Sequence, residues 1–151
     1  MKHGIKKAVY AGSFDLVTNG HKWTIEKAAE AAEDLVVATG TNPTKKYTFT
    51  DSERLEMLKD VVKDYPNVEV GNLGYKYLVN YAKSVGATHV IRGIRNEDDY
   101  RFENAFMQYN KDIAPEIVTV FFMPPSDLAK ISSSSVKGLI APEGWERVIE
   151  K

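Results

Sequence analysis

Small polar residues, glycine and a histidine are concentrated in the stretch YAGSFDLVTNGH, residues 10 to 21. The stretch directly follows an apolar run near the start of the chain. Glycine lets a backbone approach a phosphate closely, and the first turn of a helix offers free amides and a positive dipole end. His21 in that turn can donate a hydrogen bond to a phosphate oxygen. The segment TNGH therefore predicts a phosphate-binding helix start.

Cationic side chains follow the other apolar runs of the chain. They stand in the segments TNPTKK, RGIRNEDD and SDLAKISSSSVK, and they are Lys45, Lys46, Arg92, Arg95, Lys130 and Lys137. Ligands of an open parallel sheet bind beyond the carboxyl ends of the strands, so we expect these cations at one edge together with His21. One such cation is typical of a solvated loop, but their convergence at successive strand ends indicates a site for phosphates.

The hydrophobic pattern supplies the elements that must position these residues. Short apolar runs predict strands at KAVYAG, DLVVATG, NVEVG, THVIRG and EIVTVFFM. Helical spacing predicts four helix faces between them, formed by Ile25, Ala28, Ala29 and Ala32, by Leu55, Leu58 and Val62, by Tyr75, Leu78, Val79 and Ala82, and by Phe102, Phe106, Tyr109 and Ile113. Thr50 and Glu53 have capping-box spacing, and Pro66 and Gly86 are predicted helix stops. A further short helix is expected to begin in SSSSVKGLI.

Five strands that alternate with helices predict one α/β domain over residues 1–151. Several strands are too apolar to face water on either side, which indicates a five-stranded parallel sheet with helices on both faces, a Rossmann-like architecture. The length suits a single domain, and 43% hydrophobic with 27% charged residues is ordinary for a soluble globular protein.

Composition and motifs exclude several classes of function. A formal net charge of -1 argues against a nucleic-acid or membrane-surface partner, and the absence of cysteine excludes disulfides and thiolate metal sites. The N-terminal MKHGIKKAVY lacks the apolar region of a signal peptide, so we expect a cytoplasmic protein. Neither the P-loop pattern nor a G-x-G-x-x-G after the first strand is present, which disfavours P-loop and dinucleotide redox domains.

Four segments of the chain resemble the bacterial phosphopantetheine adenylyltransferases in order and spacing. They are YAGSFDLVTNGH, NPTKKYTFTDSERLEML, VIRGIRNEDDYRFE and ISSSSVK, and they extend from about residue 8 to residue 137. TNGH and ISSSSVK correspond to the H-x-G-H and I-S-S-[ST]-x-[IV]-[RK] signatures of the nucleotidylyltransferase superfamily. The resemblance implies the nucleotidylyltransferase fold and an enzyme that joins ATP and 4'-phosphopantetheine into dephospho-CoA and pyrophosphate, in coenzyme A biosynthesis.

The resemblance also implies roles for individual residues. Ser13 orients the acceptor phosphate, His21 stabilises the transition state, and Lys45 and Arg92 clamp the acceptor phosphate. The implied ATP-binding residues are Ser13, Phe14, His21, Gly93, Ile94, Arg95, Glu103, Leu128, Ala129, Lys130, Ile131, Ser132, Ser133 and Ser134. The implied acceptor-binding residues are Ser13, Lys45, Leu78, Arg92 and Asn110.

Cofactor and assembly are further implications of the resemblance. Mg²⁺ is expected to be bound mainly through the phosphates of ATP, with no metal site built by the protein. The family implies a homohexamer and makes CoA a candidate inhibitor. The chain departs from the usual family pattern at Ser13, Ala11 and Leu16, in DLAK, which lacks the usual aromatic residue near adenine, and in the short tail GLIAPEGWERVIEK.

Two alternative functions stay open. One is an adenylyl- or cytidylyltransferase with another phosphate acceptor, such as nicotinamide mononucleotide, and the other is a non-catalytic nucleotide-binding sensor. The presence of the histidine and of the clamp cations disfavours the sensor. For the acceptor, the helices predicted at 75–85 and 97–113 offer an apolar lining with one amide, which favours an uncharged, amide-bearing arm such as pantetheine; its residues are Tyr77, Leu78, Phe106, Tyr109 and Asn110.

Overall fold

Strands and helices alternate along the whole of residues 4–134, the part of the chain that the computed structural model describes. The elements are β1 (Ile5–Gly12), α1 (Asn19–Ala31), β2 (Ala32–Gly40), α2 (Asp51–Val62), β3 (Val68–Gly74), α3 (Leu78–Ser84), β4 (His89–Gly93), α4 (Glu97–Ile113), β5 (Val118–Phe122) and α5 (Ser126–Ala129). Lys137, the tail GLIAPEGWERVIEK and most of the helix expected in SSSSVKGLI lie outside the described residues. The predicted alternation of strands and helices is confirmed.

The strands of the described region form one parallel sheet of five strands in the order β3-β2-β1-β4-β5. The chain moves outward from β1 to β3 and then returns to place β4 on the other side of β1. The strand order therefore reverses between β1 and β4, at the carboxyl ends that carry Gly12 and Gly93. Open sheets bind ligands in the crevice at such a switch point.

Apolar side chains are buried on both faces of the sheet, as the strand composition predicts. Helices α1 and α2 cover one face, and α3 covers the other. The buried helix residues are Ile25, Ala28, Leu58 and Val62 on the first face and Val79 and Ala82 on the second. Full burial of an aliphatic side chain stabilises the fold by about 1.5–3 kcal/mol. These two cores hold β1, β2 and β4 rigidly, and with them the loops that follow.

Helix ends agree with the predicted stop and start signals. The Thr50 hydroxyl accepts from the backbone N–H of Glu53 at 3.2 Å, and the Glu53 carboxylate accepts from the backbone N–H of Thr50 at 2.8 Å. The predicted capping box is therefore confirmed. Helix α2 ends before Pro66, and Gly86, with φ +75, follows the end of α3.

On the first three helices, the predicted faces differ from the structure at three positions. Ala32 is buried but begins β2, because α1 ends at Ala31. Tyr75 precedes α3 and is 76% exposed. On α2 the fully buried residue in line with Leu58 is Arg54, while Leu55 is only half-buried. A guanidinium that finds enough hydrogen-bond acceptors can replace an apolar side chain on a buried face.

The aromatic face of α4 is exposed, although the helix spans 97–113 as predicted. Phe102, Phe106 and Tyr109 are 58%, 51% and 68% exposed, and the buried residue of α4 is Glu103. Strand β5, the most continuously apolar run, is an edge strand with Val118 half exposed. Periodicity thus identified these elements without indicating what covers them. None of the helices within residues 4–134 is long and apolar enough to cross a membrane.

Candidate active site

A cavity of about 570 Å³, here called the main cavity, opens at the switch point between β1 and β4. Its volume lies in the range of small-molecule sites. Most of the residues that the sequence assigned to ATP line it: Ser13, Phe14, His21, Gly93, Arg95, Glu103, Ile131, Ser132, Ser133 and Ser134. The cations Lys45, Lys46 and Arg92 line it as well. The fold therefore brings the strand-end segments together, as the sequence predicts.

A second cavity, of about 280 Å³ and here called the side cavity, extends toward α3 and α4. Its lining includes all the predicted acceptor-binding residues: Ser13, Lys45, Leu78, Arg92 and Asn110. Tyr77 and Phe106 also line it, but Tyr109, which the sequence grouped with them, does not. Ser13, Lys45 and Arg92 line both cavities and therefore mark the junction between them.

His21 belongs to the cap that starts α1. Its Nδ1 accepts a hydrogen bond of 3.0 Å from the backbone N–H of Thr18, and its own backbone N–H donates to the Thr18 hydroxyl at 3.3 Å. A neutral imidazole that accepts at Nδ1 carries its proton on Nε2. The cap therefore selects the tautomer of His21 and leaves an Nε2–H donor for a ligand.

The surroundings of His21 keep its imidazole neutral. Burial is the main cause that lowers its pKa to about 4, and the positive charges of Arg95 and Arg92 lower it further. The ring of Phe14 packs against it edge to face, with centroids 5.0 Å apart. Phe14 is 1% exposed and lines the main cavity, where its ring supports that of His21. His21 therefore presents a neutral Nε2–H donor, supported by packing, at the start of α1.

Arg92 and Glu103 bind each other, although the resemblance assigns them to different substrates. Arg92 Nε lies 3.1 and 3.0 Å from the two carboxylate oxygens, Nη2 donates to Oε1 at 2.7 Å, and Nη1 donates to the Ala11 carbonyl at 2.7 Å. Within the described residues, one N–H of each terminal nitrogen remains for a ligand. The carboxylate therefore holds Arg92 in place at the junction of the cavities.

Arg95 is held in a similar way at the start of α4. Its Nε and Nη2 donate to the Asp99 carboxylate at 2.8 and 3.2 Å. This hydrogen bond holds the pKa of Asp99 below its usual range and raises the pKa of Arg95. Lys45, by contrast, forms no ion pair with any residue of the described region and lies in the exposed loop after β2. The site thus presents two braced guanidinium groups and, within the described region, two ammonium groups without an ion pair, those of Lys45 and Lys46.

Four of the residues assigned to ATP stand apart from the main cavity. Ala129 and Lys130 line a neighbouring, more open cavity of about 780 Å³ that shares Arg95 and Ser132 with the main cavity. Leu128 lies on α5 outside both linings. Ile94 is 6% exposed, and its backbone N–H donates to the Phe122 carbonyl at 2.9 Å. Its backbone N–H is therefore already engaged within the sheet.

Sequence reasoning missed two buried charged residues: Asp15, which lines the main cavity, and Arg54, which lies outside both cavities. Asp15 accepts from the backbone N–H groups of Thr48 and Phe49, both at 2.9 Å, and is 3% exposed. Arg54 is 1% exposed and donates to the Ser13 carbonyl at 2.9 Å. A signal for Arg54 was available, because it stands four and eight residues before Leu58 and Val62 on one helix face. No comparable pattern marked Asp15.

The main cavity favours anions over bare metal ions. Among residues 4–134, no three histidine, cysteine or carboxylate side chains are grouped so as to hold a metal. The carboxylates of its lining, Asp15, Asp99 and Glu103, all accept hydrogen bonds from the protein. A Mg²⁺ ion held by phosphate oxygens and water fits this lining, since magnesium commonly keeps its waters and binds through substrate phosphates.

Comparison with known proteins agrees with this geometry. Residues 9–139 match the cytidylyltransferase-like family. Among solved structures, the nicotinic acid mononucleotide adenylyltransferase of Plasmodium falciparum superposes with a TM-score of 0.67 at 14% identity, covering 97% of this chain and 89% of that chain. A lipopolysaccharide core biosynthesis protein of Thermoplasma volcanium has a TM-score of 0.54 at 16% identity, over 81% of this chain and 98% of its own. These likenesses establish the fold.

Sequence relatives are much closer. A phosphopantetheine adenylyltransferase of Chromobacterium violaceum is 48% identical over 147 residues, which is 97% of this chain and 90% of that protein. The protein of the same name in Carboxydothermus hydrogenoformans is 47% identical over 132 residues, 86% of this chain and 80% of its own length. The chain therefore belongs to the cytidylyltransferase-like family of nucleotidylyltransferases and, within it, to the phosphopantetheine adenylyltransferases.

Proposed function

We propose that this chain transfers the adenylyl group of ATP to 4'-phosphopantetheine and releases dephospho-CoA and pyrophosphate. The observation that carries the proposal is the junction of two cavities at Ser13, Lys45 and Arg92. A reaction between two phosphate-bearing substrates is accelerated when their binding regions hold the reacting groups close together. The relatives named phosphopantetheine adenylyltransferase, at 47–48% identity, support the choice of substrates.

We assign ATP to the main cavity and the acceptor to the side cavity. Leu78, Phe106 and Met107 give the side cavity an apolar wall, and Asn110 adds an amide that can pair with an amide of pantetheine. A mononucleotide acceptor would favour a carboxylate able to bind ribose hydroxyls. The carboxylate of this lining is Glu103, which already holds Arg92. The lining therefore favours an uncharged arm.

The chemistry requires positioning and charge stabilisation rather than a nucleophile from the protein. An anionic oxygen of the acceptor phosphate attacks the α-phosphorus of ATP, and the bond to the bridging oxygen of the leaving pyrophosphate breaks in line. Lys45 and Arg92 hold the acceptor phosphate, and Ser13 orients it. Neutral His21 donates its Nε2–H to an α-phosphate oxygen, where charge builds up in the transition state.

Gly20 supports the placement of phosphates at the start of α1. A Cβ atom at this position would come no closer than 3.6 Å to the nearest protein atom, and Gly20 does not have a positive φ. The folded protein itself therefore does not require glycine here. The helix start attracts phosphate, and a residue without a side chain lets the phosphate approach the backbone. A glycine at this position is therefore compatible with a phosphate bound close to the backbone of the helix start.

We also propose the remaining features that the family implies. Mg²⁺ accompanies ATP and neutralises charge on its phosphates, CoA acts as an inhibitor, and residues 1–151 work as one domain in the cytoplasm. The chain forms a homohexamer, and exposed apolar residues outside both cavities, Tyr109, Ile113 and Val118, support self-association. Light scattering after size-exclusion chromatography should give six times the mass of one chain, and a monomer mass would contradict this.

Pyrophosphate release tests the proposed activity. With ATP and Mg²⁺, release should be fast with 4'-phosphopantetheine and absent with pantetheine, which lacks the attacking phosphate. Faster release with nicotinamide mononucleotide would overturn the acceptor assignment while preserving adenylyl transfer. ATP binding without release from any acceptor would support a nucleotide sensor instead.

A further inference from the structure

Arg54 is a buried cation that lies outside both cavities and yet contacts the two loops that form their junction. The first loop comprises residues 13–18, between β1 and α1, and contains Ser13. The second loop comprises residues 41–50, between β2 and α2, and contains Lys45. We propose that Arg54 is a positioning residue that fixes these loops to each other and thereby sets the acceptor-phosphate site. The inference rests on the proposed function.

The guanidinium of Arg54 donates in two directions. Nη1 donates to the carbonyl of Ser13 at 2.9 Å and to the carbonyl of Gly40 at 3.1 Å. Nη2 donates to the hydroxyl of Thr41 at 3.2 Å and to the carboxylate of Asp51. One rigid group thus joins the first loop, the end of β2 and the start of α2.

The second loop folds over the same guanidinium. The ring centroid of Tyr47 lies 4.2 Å from the guanidinium carbon of Arg54, within cation–π range. The hydroxyl of Tyr47 accepts from the backbone N–H of Asn42 at 2.7 Å, and the Thr41 hydroxyl donates to Asp51 at 3.0 Å. These contacts tie the beginning and the end of the loop to one point beneath it.

Asp15 forms a second connection between the two loops. Here the first loop supplies the side chain and the second loop supplies the backbone groups. Its buried carboxylate, in the first loop, accepts from the backbone N–H groups of Thr48 and Phe49 in the second. Lys45 therefore stands between two anchored stretches, Thr41 with Asn42 on one side and residues 47–49 on the other. The position of its ammonium relative to Ser13 depends on these cross-links.

Packing alone does not explain an arginine at this position. Leu58 and Val62 occupy the same face of α2 one and two turns later and fill the core as apolar residues. Burying a guanidinium is costly, and the buried Nε of Arg54 has no hydrogen-bond partner within the described residues, while the planar fork fixes the direction of the bonds from Nη1 and Nη2. Lysine carries the same charge but lacks that geometry. The function of Arg54 is therefore to orient the loops.

ATP binding should depend much less on Arg54 than acceptor binding does. Of the residues assigned to ATP, Arg54 contacts Ser13, through its backbone carbonyl, whereas His21 and Arg95 are held by Thr18 and Asp99. Loosening the second loop displaces Lys45 but leaves these contacts in place. Loss of Arg54 should consequently weaken acceptor binding and turnover much more than ATP binding. A general loss of stability would affect both substrates alike.

Steady-state kinetics of Arg54→Lys test the proposal. We expect kcat to fall and KM for 4'-phosphopantetheine to rise by about tenfold each, since several directed charge-assisted bonds are lost. The Kd for ATP, measured by titration without acceptor, should change by less than about threefold. Arg101→Lys is the matched control, because Arg101 is exposed on α4, and it should behave like the unchanged protein.

A second variant covers the case in which Arg54→Lys fails to fold. Thr41→Val removes one acceptor of Arg54 and keeps the shape of the side chain, and it should change the same acceptor parameters by about threefold in the same direction. Unchanged acceptor kinetics in a folded variant, or equal losses for ATP and acceptor, would overturn the inference. Both variants are assayed with whichever acceptor releases pyrophosphate in the unchanged protein, so a wrong acceptor assignment and a wrong role for Arg54 give different results. Absence of release with every acceptor would overturn both.

Discussion

Replacing His21 with glutamine should make the stability of the folded protein less dependent on pH. The imidazole of the folded protein is neutral, and its Nδ1 accepts the cap hydrogen bond from Thr18. Protonation of Nδ1 removes that acceptor and places a positive charge near Arg92 and Arg95. Glutamine at the same cap position can still accept from the Thr18 N–H but does not titrate in this range.

The sign and size of the effect follow from the lowered pKa. His21 titrates near 6.5 in an unfolded chain and near 4 in the folded protein, so the unfolded state binds the proton more tightly between these values. Stability is therefore complete above about pH 6.5 and is lost as the pH falls toward about 4. The full difference between the two pKa values of His21 corresponds to about 3 kcal/mol of unfolding free energy. Because the half-buried ring keeps some contact with solvent, we expect a total effect of about 2 kcal/mol.

Urea unfolding at pH 7.5 and at pH 4.5, at one protein concentration and ionic strength, measures this difference. Between the two pH values, the unchanged protein should lose about 1.5 kcal/mol more stability than His21→Gln, because pH 4.5 is still slightly above the folded pKa of His21. His89→Gln serves as the matched control, because His89 lies at the start of β4, away from the site, and should keep the full pH dependence. Equal losses in the unchanged protein and in His21→Gln would refute the reasoning about the environment of His21.

Three further variants test the assigned roles. His21→Ala should lower kcat by ~10²–10³ while the affinity for ATP stays within a few fold, because the donor acts mainly in the transition state; unchanged turnover would contradict its role. Lys45→Ala should weaken acceptor binding by about 1.5–3 kcal/mol, the range of one charge-assisted hydrogen bond, and titrations that show an equal loss for ATP would mean that the role is misassigned. Thr50→Ala removes the hydroxyl that caps α2 and should cost about 1 kcal/mol of stability in urea unfolding, with Ser52→Ala, an exposed neighbour, as the control. An unchanged midpoint in Thr50→Ala would show that the cap contributes nothing measurable.

The elements of the fold could be predicted because their signals are local. Apolar runs marked the strands, the Thr50–Glu53 spacing marked the start of α2, and Gly86 marked the end of α3. Which side of an element is covered is a different question. The aromatic residues of α4 have the spacing of a buried face and are nevertheless exposed, because a helical pattern shows that residues share a side without showing what lies against it.

For the site, residue types were predicted better than their partners. The motif order pointed to His21, Lys45 and Arg92 before any contact was known. The pairing of Arg92 with Glu103 joins β4 to α4, and the bond from Arg54 to Ser13 joins residues 41 positions apart in the chain. No sequence spacing predicts either contact, because each contact depends on how separate elements pack against one another.

By itself, the sequence determined the family, the alternation of strands and helices, and the side chains available for phosphate chemistry, because each depends on residues that are near one another or on a recognisable order of motifs. Only the tertiary structure decided which charges face each other, which ring nitrogen of His21 carries the proton, and how the loops that contain Ser13 and Lys45 are joined. The physical reason is that the pKa of a side chain, its hydrogen-bond partners and its exposure depend on groups brought close by folding, and those groups come from distant parts of the chain.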